Sequence, residues 1–215
     1  MKVIVFGATG GTGREAVSAL LAEGHQVTAF VRRPGAEGLP EAASLAVGDA
    51  LEADSVAAAV RGQDAVVVTL GIRENPLMVL LRGASATASN VRSEGTRNII
   101  EAMKAHGVRR LVVQTTYGVG ATRGRPSWMW RLIFASVLRP QIADTEVQEA
   151  IVRESGLDWV VAQPVGLTDE DARETLLSAS GEARSMAVPR RSVARFLADA
   201  VASPAFVHQC VALSA

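Results

Sequence analysis

Gly7, Gly10 and Gly13 recur at every third position in the run Gly7-Ala8-Thr9-Gly10-Gly11-Thr12-Gly13. Glycines spaced in this way permit a tight turn and let the backbone come close to a bound group. An apolar run, Val3-Ile4-Val5-Phe6, leads into them, and a helical pattern from Arg14 to Leu21 follows. Strand, glycine turn and helix together make a seat for a dinucleotide pyrophosphate. The opening turn of the helix offers free N–H groups and the positive end of its dipole. Gly7, Thr9, Gly10, Gly11, Thr12 and Gly13 are therefore the candidate phosphate-binding residues. For the glycines alone, the plain alternative is an ordinary tight turn.

Such a turn needs a scaffold, and the rest of the chain supplies one. Short β-branched runs alternate with amphipathic segments, which predicts an α/β fold: a Rossmann-type, doubly wound parallel sheet in a single domain over residues 1–215. Strands are expected at Val27–Val31, Leu45–Val47, Ala65–Leu70, Leu111–Thr115 and Trp159–Ala162, with Pro164 ending the last of these and a final strand within Phe206–Leu213. Helices are expected at Ser55–Val60 with Asp54 as N-cap, at Val91–Ala105 stopping at His106-Gly107, at Asp144–Glu154, and at Val193–Val201. Open parallel sheets bind ligands beyond the carboxyl ends of their strands. The residues to weigh are therefore Arg32-Arg33, Asp49-Ala50, Leu70-Gly71 and Arg73, Thr115-Thr116-Tyr117, and Pro164-Val165-Gly166.

These positions discriminate between cofactors. An acid at the end of the second strand would bond the ribose hydroxyls of NAD and repel a 2′-phosphate. Arg32 and Arg33 stand there instead, and two guanidinium groups suit a phosphate, so NADPH/NADP is favoured over NAD. The alternative is a solvated pair in a loop. Asp49 is expected at the adenine edge.

Hydride transfer also requires a proton to be managed. Tyr117 is the only tyrosine and position 121 is alanine, so the tyrosine–lysine acid of typical short-chain dehydrogenases is missing. Lys2, Lys104, His25, His106 and His208 fall away from the expected site. Carbonyl–alcohol interconversion is thereby disfavoured, and a conjugated acceptor such as a flavin, quinone or tetrapyrrole fits better. Thr116 and Tyr117 are the catalytic candidates, orienting the acceptor or the carboxamide. Asp144, Glu146 and Glu149 read as a solvated acidic helix face. The apolar Pro76–Leu81 and the aromatic Ser127–Phe134 read as a substrate lid, within residues 72–90 and 118–140.

Hydrophobic residues make up 48% of the chain and charged residues 20%, with a formal net charge of zero. That gives no electrostatic footprint for nucleic acid and no basic membrane anchor. The single cysteine, Cys210, fits a reducing cytoplasm. No signal-peptide core, membrane-length apolar stretch or metal-ligand cluster is evident. A cytoplasmic monomer or homodimer acting on a small molecule is expected.

Several blocks carry a family likeness: Val5-Phe6-Gly7-Ala8-Thr9-Gly10, Ser93-Glu94-Gly95-Thr96-Arg97-Asn98, Ala102-Met103-Lys104-Ala105-His106-Gly107-Val108 and Arg153-Glu154-Ser155-Gly156-Leu157. Through them the chain resembles the NAD(P)-binding, NmrA-like group of atypical short-chain dehydrogenases/reductases. Within that group it is most similar to the flavin reductase (NADPH)/biliverdin-IXβ reductase branch, over Met1 to about Leu167. The resemblance implies NADPH held by Gly7–Gly13, Arg32, Asp49-Ala50, Leu70-Gly71, Arg73, Thr115-Thr116 and Pro164-Val165. It also implies reduction of flavins or related acceptors. That branch has serine in place of Thr116 and histidines in place of Thr145 and Gly166, and it lacks an insertion around Gly83–Ser89, so the acceptor stays open. A second reading is a non-catalytic NADP(H)-sensing regulator of the NmrA type. A sugar-nucleotide-modifying enzyme would need the missing acid.

Overall fold

The computed structural model describes residues 1–35, 37–71, 90–125 and 139–215. Arg73, both proposed lid stretches (Pro76–Leu81 and Ser127–Phe134) and the Gly83–Ser89 insertion lie outside the described residues.

Eight strands form one sheet: β1 (Lys2–Phe6), β2 (Gln26–Val31), β3 (Ser44–Val47), β4 (Ala65–Val68), β5 (Arg110–Gln114), β6 (Asp158–Pro164), β8 (Leu176–Ser178) and β10 (Gln209–Ser214). Their order is β3-β2-β1-β4-β5-β6-β10-β8, parallel throughout except for the β10–β8 pair. Two further short strands, β7 (Gly166–Thr168) and β9 (Ala187–Pro189), make a separate parallel pair. The strand order reverses between β1 and β4, and it is at such a switch point that doubly wound sheets open a crevice. Val3 of β1 is in register with Val27 on one side and Ala65 on the other.

Alternating side chains split the core in two, as strands buried on both faces require. Val3, Val5, Val67, Val112 and Val160 face α1 (Gly11–Ala22) and the C-terminal helix, Arg190–Ala202. Ile4, Phe6, Val66, Leu111 and Val161 face α2 (Ala53–Val60), α3 (Val91–His106) and α4 (Arg139–Arg153). The C-terminal helix is α5. Gly107, at φ +72°, ends α3 as a left-handed cap, with its N–H on the carbonyls of Lys104 and Met103.

Some expectations shift. The N-cap of α2 is Glu52, and Asp54 falls inside the first turn, because the helix begins two residues before Ser55. β6 runs on through Pro164, and its register with β10 holds to that residue. β7, β8 and β9 are each three residues long, too short to show a period-two pattern.

Candidate functional site

A cleft of about 680 Å³ opens along the carboxyl ends of β1, β2, β4 and β5. Gly7, Thr9, Gly10, Gly11, Thr12 and Gly13 line it, as do Arg32, Asp49, Ala50, Leu70, Gly71, Thr115 and Thr116. The glycine turn is as crowded as its composition implies. Gly7 has φ +82°, and a Cβ on it would lie 2.5 Å from the Thr69 carbonyl oxygen. On Gly13 a Cβ would lie 2.2 Å from the Gly7 carbonyl oxygen. Helix α1 then starts at Gly11 behind an N-cap glycine that makes no side-chain cap bond, so its first-turn N–H groups face the cleft uncapped.

Neighbouring elements brace the rest of the wall. Asp49 Oδ1 accepts from Leu51 N at 2.9 Å, and Ser55 Oγ donates to the Asp49 carbonyl at 2.9 Å. Asn98 Nδ2 donates to the Ala50 carbonyl at 3.0 Å. Gly95 lets α3 close on this loop, since a Cβ there would meet Leu70 Cδ1 at 2.8 Å. The Ser93–Asn98 block thus positions the loops after β3 and β4.

Not every expected residue reaches the cleft. Arg33 is exposed and lies off the wall. Pro164 and Val165 are buried in the sheet, where the Pro164 carbonyl accepts from Tyr117 N and Val165 N donates to Leu213 O. Tyr117 needs correction as a catalytic candidate. It turns away from Thr116, packs in the core beside Val165 and Val188, and donates its hydroxyl to the Gly181 carbonyl at 3.2 Å. Beyond the end of β5 at Gln114, Thr115 and Thr116 border the cleft, whereas Tyr117 is drawn into the core by its N–H on the Pro164 carbonyl and its hydroxyl on the Gly181 carbonyl. Burial pushes the phenol pKa up, partly offset by Arg125. Tyr117→Phe should therefore cost about 0.5–1.5 kcal/mol of stability in urea unfolding. Its NADPH oxidation rate should stay within about twofold of wild type, a fraction of the 10²–10⁴-fold that loss of a general acid brings.

The acidic face of α4 also turns inward rather than out to solvent. Asp144 caps α3, accepting from Arg92 N at 3.1 Å and from Ser93 N at 3.2 Å. Glu149 is 1% exposed. Its Oε2 accepts from Gln163 Nε2 at 2.8 Å and Thr115 Oγ1 at 3.4 Å, and its Oε1 accepts from Ala121 N at 3.0 Å. The Cys210 thiol lies 3.6 Å from Oε1, and burial, aided by this carboxylate, pushes its pKa up to about 12. Only Glu146, paired with Arg123 at 3.6 Å, keeps the solvated character expected of this face. Removing Glu149 leaves the fully buried Gln163 Nε2 without this acceptor, so Glu149→Ala should lower the unfolding free energy by roughly 1–3 kcal/mol at unchanged m-value in urea.

Four cleft residues have no signal in local spacing: Arg14, Arg92, Asp169 and Arg190. Arg190 lies against the glycine turn, so that a Cβ on Gly11 would meet its Nε at 2.8 Å. It also pairs with Asp169 at 2.5 Å. Among the described residues no cluster of His, Cys, Asp and Glu could hold a metal ion, and no helix is long and apolar enough to cross a membrane.

A family model described as NAD(P)H-binding matches residues 7–204. The 3-diazoavenalumate denitrifying reductase of a Streptomyces species is 40% identical over 130 residues, covering 59% of this chain and 41% of that protein. The chain spans less than half the length of this and the 3β-hydroxysteroid dehydrogenases it also matches. In structure it is similar to ChuY, an anaerobillin reductase from Escherichia coli O157:H7, with a TM-score of 0.80 at 24% identity over 100% of this chain and 97% of that one. A short-chain dehydrogenase/reductase from Veillonella parvula, solved in complex with NADP, superposes with a TM-score of 0.75 at 14% identity over 100% and 94%. These likenesses establish the Rossmann-like fold.

Proposed function

Because the chain belongs to the NAD(P)H-binding family, we propose that it is an NADPH-dependent reductase passing hydride to a flavin, quinone or similar conjugated acceptor. Relatives named as a reductase and as hydroxysteroid dehydrogenases support an oxidoreductase at the general level. The observation that carries the finer reading is the cleft wall beyond β4 and β5. Gln114, Thr115 and Thr116 line it, and no tyrosine, lysine or histidine does among the described residues.

The residues present fit a dinucleotide. Gly7 and Gly13 keep a cradle that any Cβ would fill, and the uncapped start of α1 faces it. Gly7–Gly13 would hold the pyrophosphate with backbone N–H groups, and Arg190 would add a cation beside Gly11. Arg32 would read the 2′-phosphate, and Asp49-Ala50 would border the adenine. When bound, the reduced nicotinamide supplies the hydride. Thr115 already gives its hydroxyl proton to Glu149, so its oxygen is left to accept a bond from the cleft side. Thr116 is the hydroxyl that would orient the acceptor, and the proton would come from solvent.

The test is NADPH oxidation, followed by absorbance, with FMN, menadione and a redox dye. Turnover well above background with at least one is expected. Tight NADPH binding with no turnover on any acceptor would overturn the reductase reading and leave an NADP(H)-sensing regulator.

A further inference from the structure

This inference rests on the reading of the cleft as a hydride-transfer site and concerns what the acceptor must carry. Arg92, the second residue of α3, lines the cleft on the β4–β5 side with Gly71, Thr115 and Thr116. Its charged fork is only partly used. NH1 donates to Thr145 Oγ1 at 2.7 Å, and that hydroxyl passes its own proton to the Gln141 carbonyl at 2.7 Å. Nε is buried and has no hydrogen-bond partner among the described residues. The adjacent carboxylate is engaged elsewhere. Asp144 Oδ2 accepts from Arg92 N at 3.1 Å, while Oδ1 accepts from Ser93 N at 3.2 Å and Ser93 Oγ at 2.5 Å. NH2 faces Gly71, where a Cβ would stand 3.3 Å away, so glycine leaves that edge clear. Burial lowers the guanidinium pKa, and the Asp144 charge offsets part of that. Arginine nevertheless stays charged inside proteins.

A buried cationic donor with no acceptor is costly, which is why such groups are normally paired. The planar fork of a guanidinium matches two oxygens of one anion, and with Nε sealed inside the protein the edge of Arg92 that a carboxylate or phosphate in the cleft can meet is that of its two terminal nitrogens, NH2 beside Gly71 and the second N–H of NH1. A neutral carbonyl offers one oxygen and leaves part of the fork unmatched. We infer that Arg92 binds an oxyanion carried by the acceptor, so that the acceptor is an anionic conjugated molecule and not a neutral one.

Equilibrium binding to the NADP⁺-loaded protein tests this without turnover. FMN and riboflavin, read by flavin fluorescence, differ only in a phosphate. Naphthalene-2-carboxylate and naphthalene-2-carboxamide, read by calorimetry, supply the carboxylate arm. Wild-type protein should favour the anionic member of at least one pair by about tenfold or more, the scale of a charged hydrogen bond. The pair that responds tells phosphate from carboxylate. Arg92→Met should bring that ratio close to one, with Arg92→Lys between the two. A ratio unchanged in Arg92→Met, or no anion preference in wild type for either pair, overturns the inference. So does a tenfold loss of NADPH affinity in Arg92→Lys, which would assign the guanidinium to the cofactor. Wild-type protein that binds no NADPH would instead overturn the reading on which the inference rests.

Discussion

A Gly13→Val variant should lose detectable NADPH binding and unfold at a markedly lower temperature than wild type. The first Cβ atom alone would stand 2.2 Å from the Gly7 carbonyl oxygen and 2.9 Å from both the Gly7 carbonyl carbon and Thr69 Oγ1. Two of those atoms are backbone in the turn itself, so no rotamer change relieves the contact. Either α1 moves off the sheet or the turn opens, and each destroys the arrangement that faces N–H groups into the cleft. Overpacking of this kind costs about 1–3 kcal/mol or more, the upper range applying where backbone must shift. Gly24→Ala is the control. Gly24 has φ +80° but nothing within 4 Å of an added Cβ, so it should cost only about 1–2 kcal/mol of backbone strain and leave NADPH affinity unchanged. Thermal unfolding and a fluorescence titration with NADPH separate the two effects. A Gly13→Val protein that binds NADPH within threefold of wild type would refute the cradle.

What could be read in advance follows from how local the information is. The glycine turn and the β-branched runs encode their structure within a few residues, so β1 to β6 and the helices α1 to α3 fall close to their expected positions, while α4 starts at Arg139, five residues before the expected Asp144. The Ser93–Asn98 block was legible as a family feature. Its physical role, Gly95 against Leu70 and Asn98 on the Ala50 carbonyl, needs the folded chain. Glu149 marks the limit. Helical spacing reports which residues share a face, not whether that face meets water. Its burial depends on Gln163 of β6 and Thr115 just past the end of β5, which arrive from different parts of the chain. Tyr117 misleads for a related reason: being the only tyrosine made it conspicuous, while the carbonyls of Pro164 and Gly181, distant in sequence, decide where it sits. Arg190 and Arg92 reach the cleft from helices distant in sequence from the glycine turn, and no spacing rule joins them to it.

The cofactor preference should turn on one residue. Arg32 ends the β2 side of the cleft, whereas the adjacent Arg33 lies off its wall. β2 ends at Val31 and is followed by Arg32-Arg33, so no carboxylate stands at the strand end where NAD-selective sites place one to claim the ribose hydroxyls. Arg32→Glu replaces a cation by an anion where a 2′-phosphate would sit. A charged hydrogen bond is worth about 1.5–3 kcal/mol, so NADPH affinity should fall by roughly 10- to 150-fold, with added repulsion pushing it further. NADH carries no 2′-phosphate and should change by less than about threefold. Arg33→Glu should shift NADPH affinity far less, because an exposed charge off the wall acts only through screened, longer-range attraction. Raising ionic strength should narrow the gap between NADPH and NADH for wild type, and in Arg32→Glu should recover part of the lost NADPH affinity as the repulsion is screened. Equal losses of NADPH and NADH in Arg32→Glu would mean that the side chain shapes the turn after β2 and does not read the phosphate. A larger effect at Arg33 than at Arg32 would reverse the assignment made from the cleft wall.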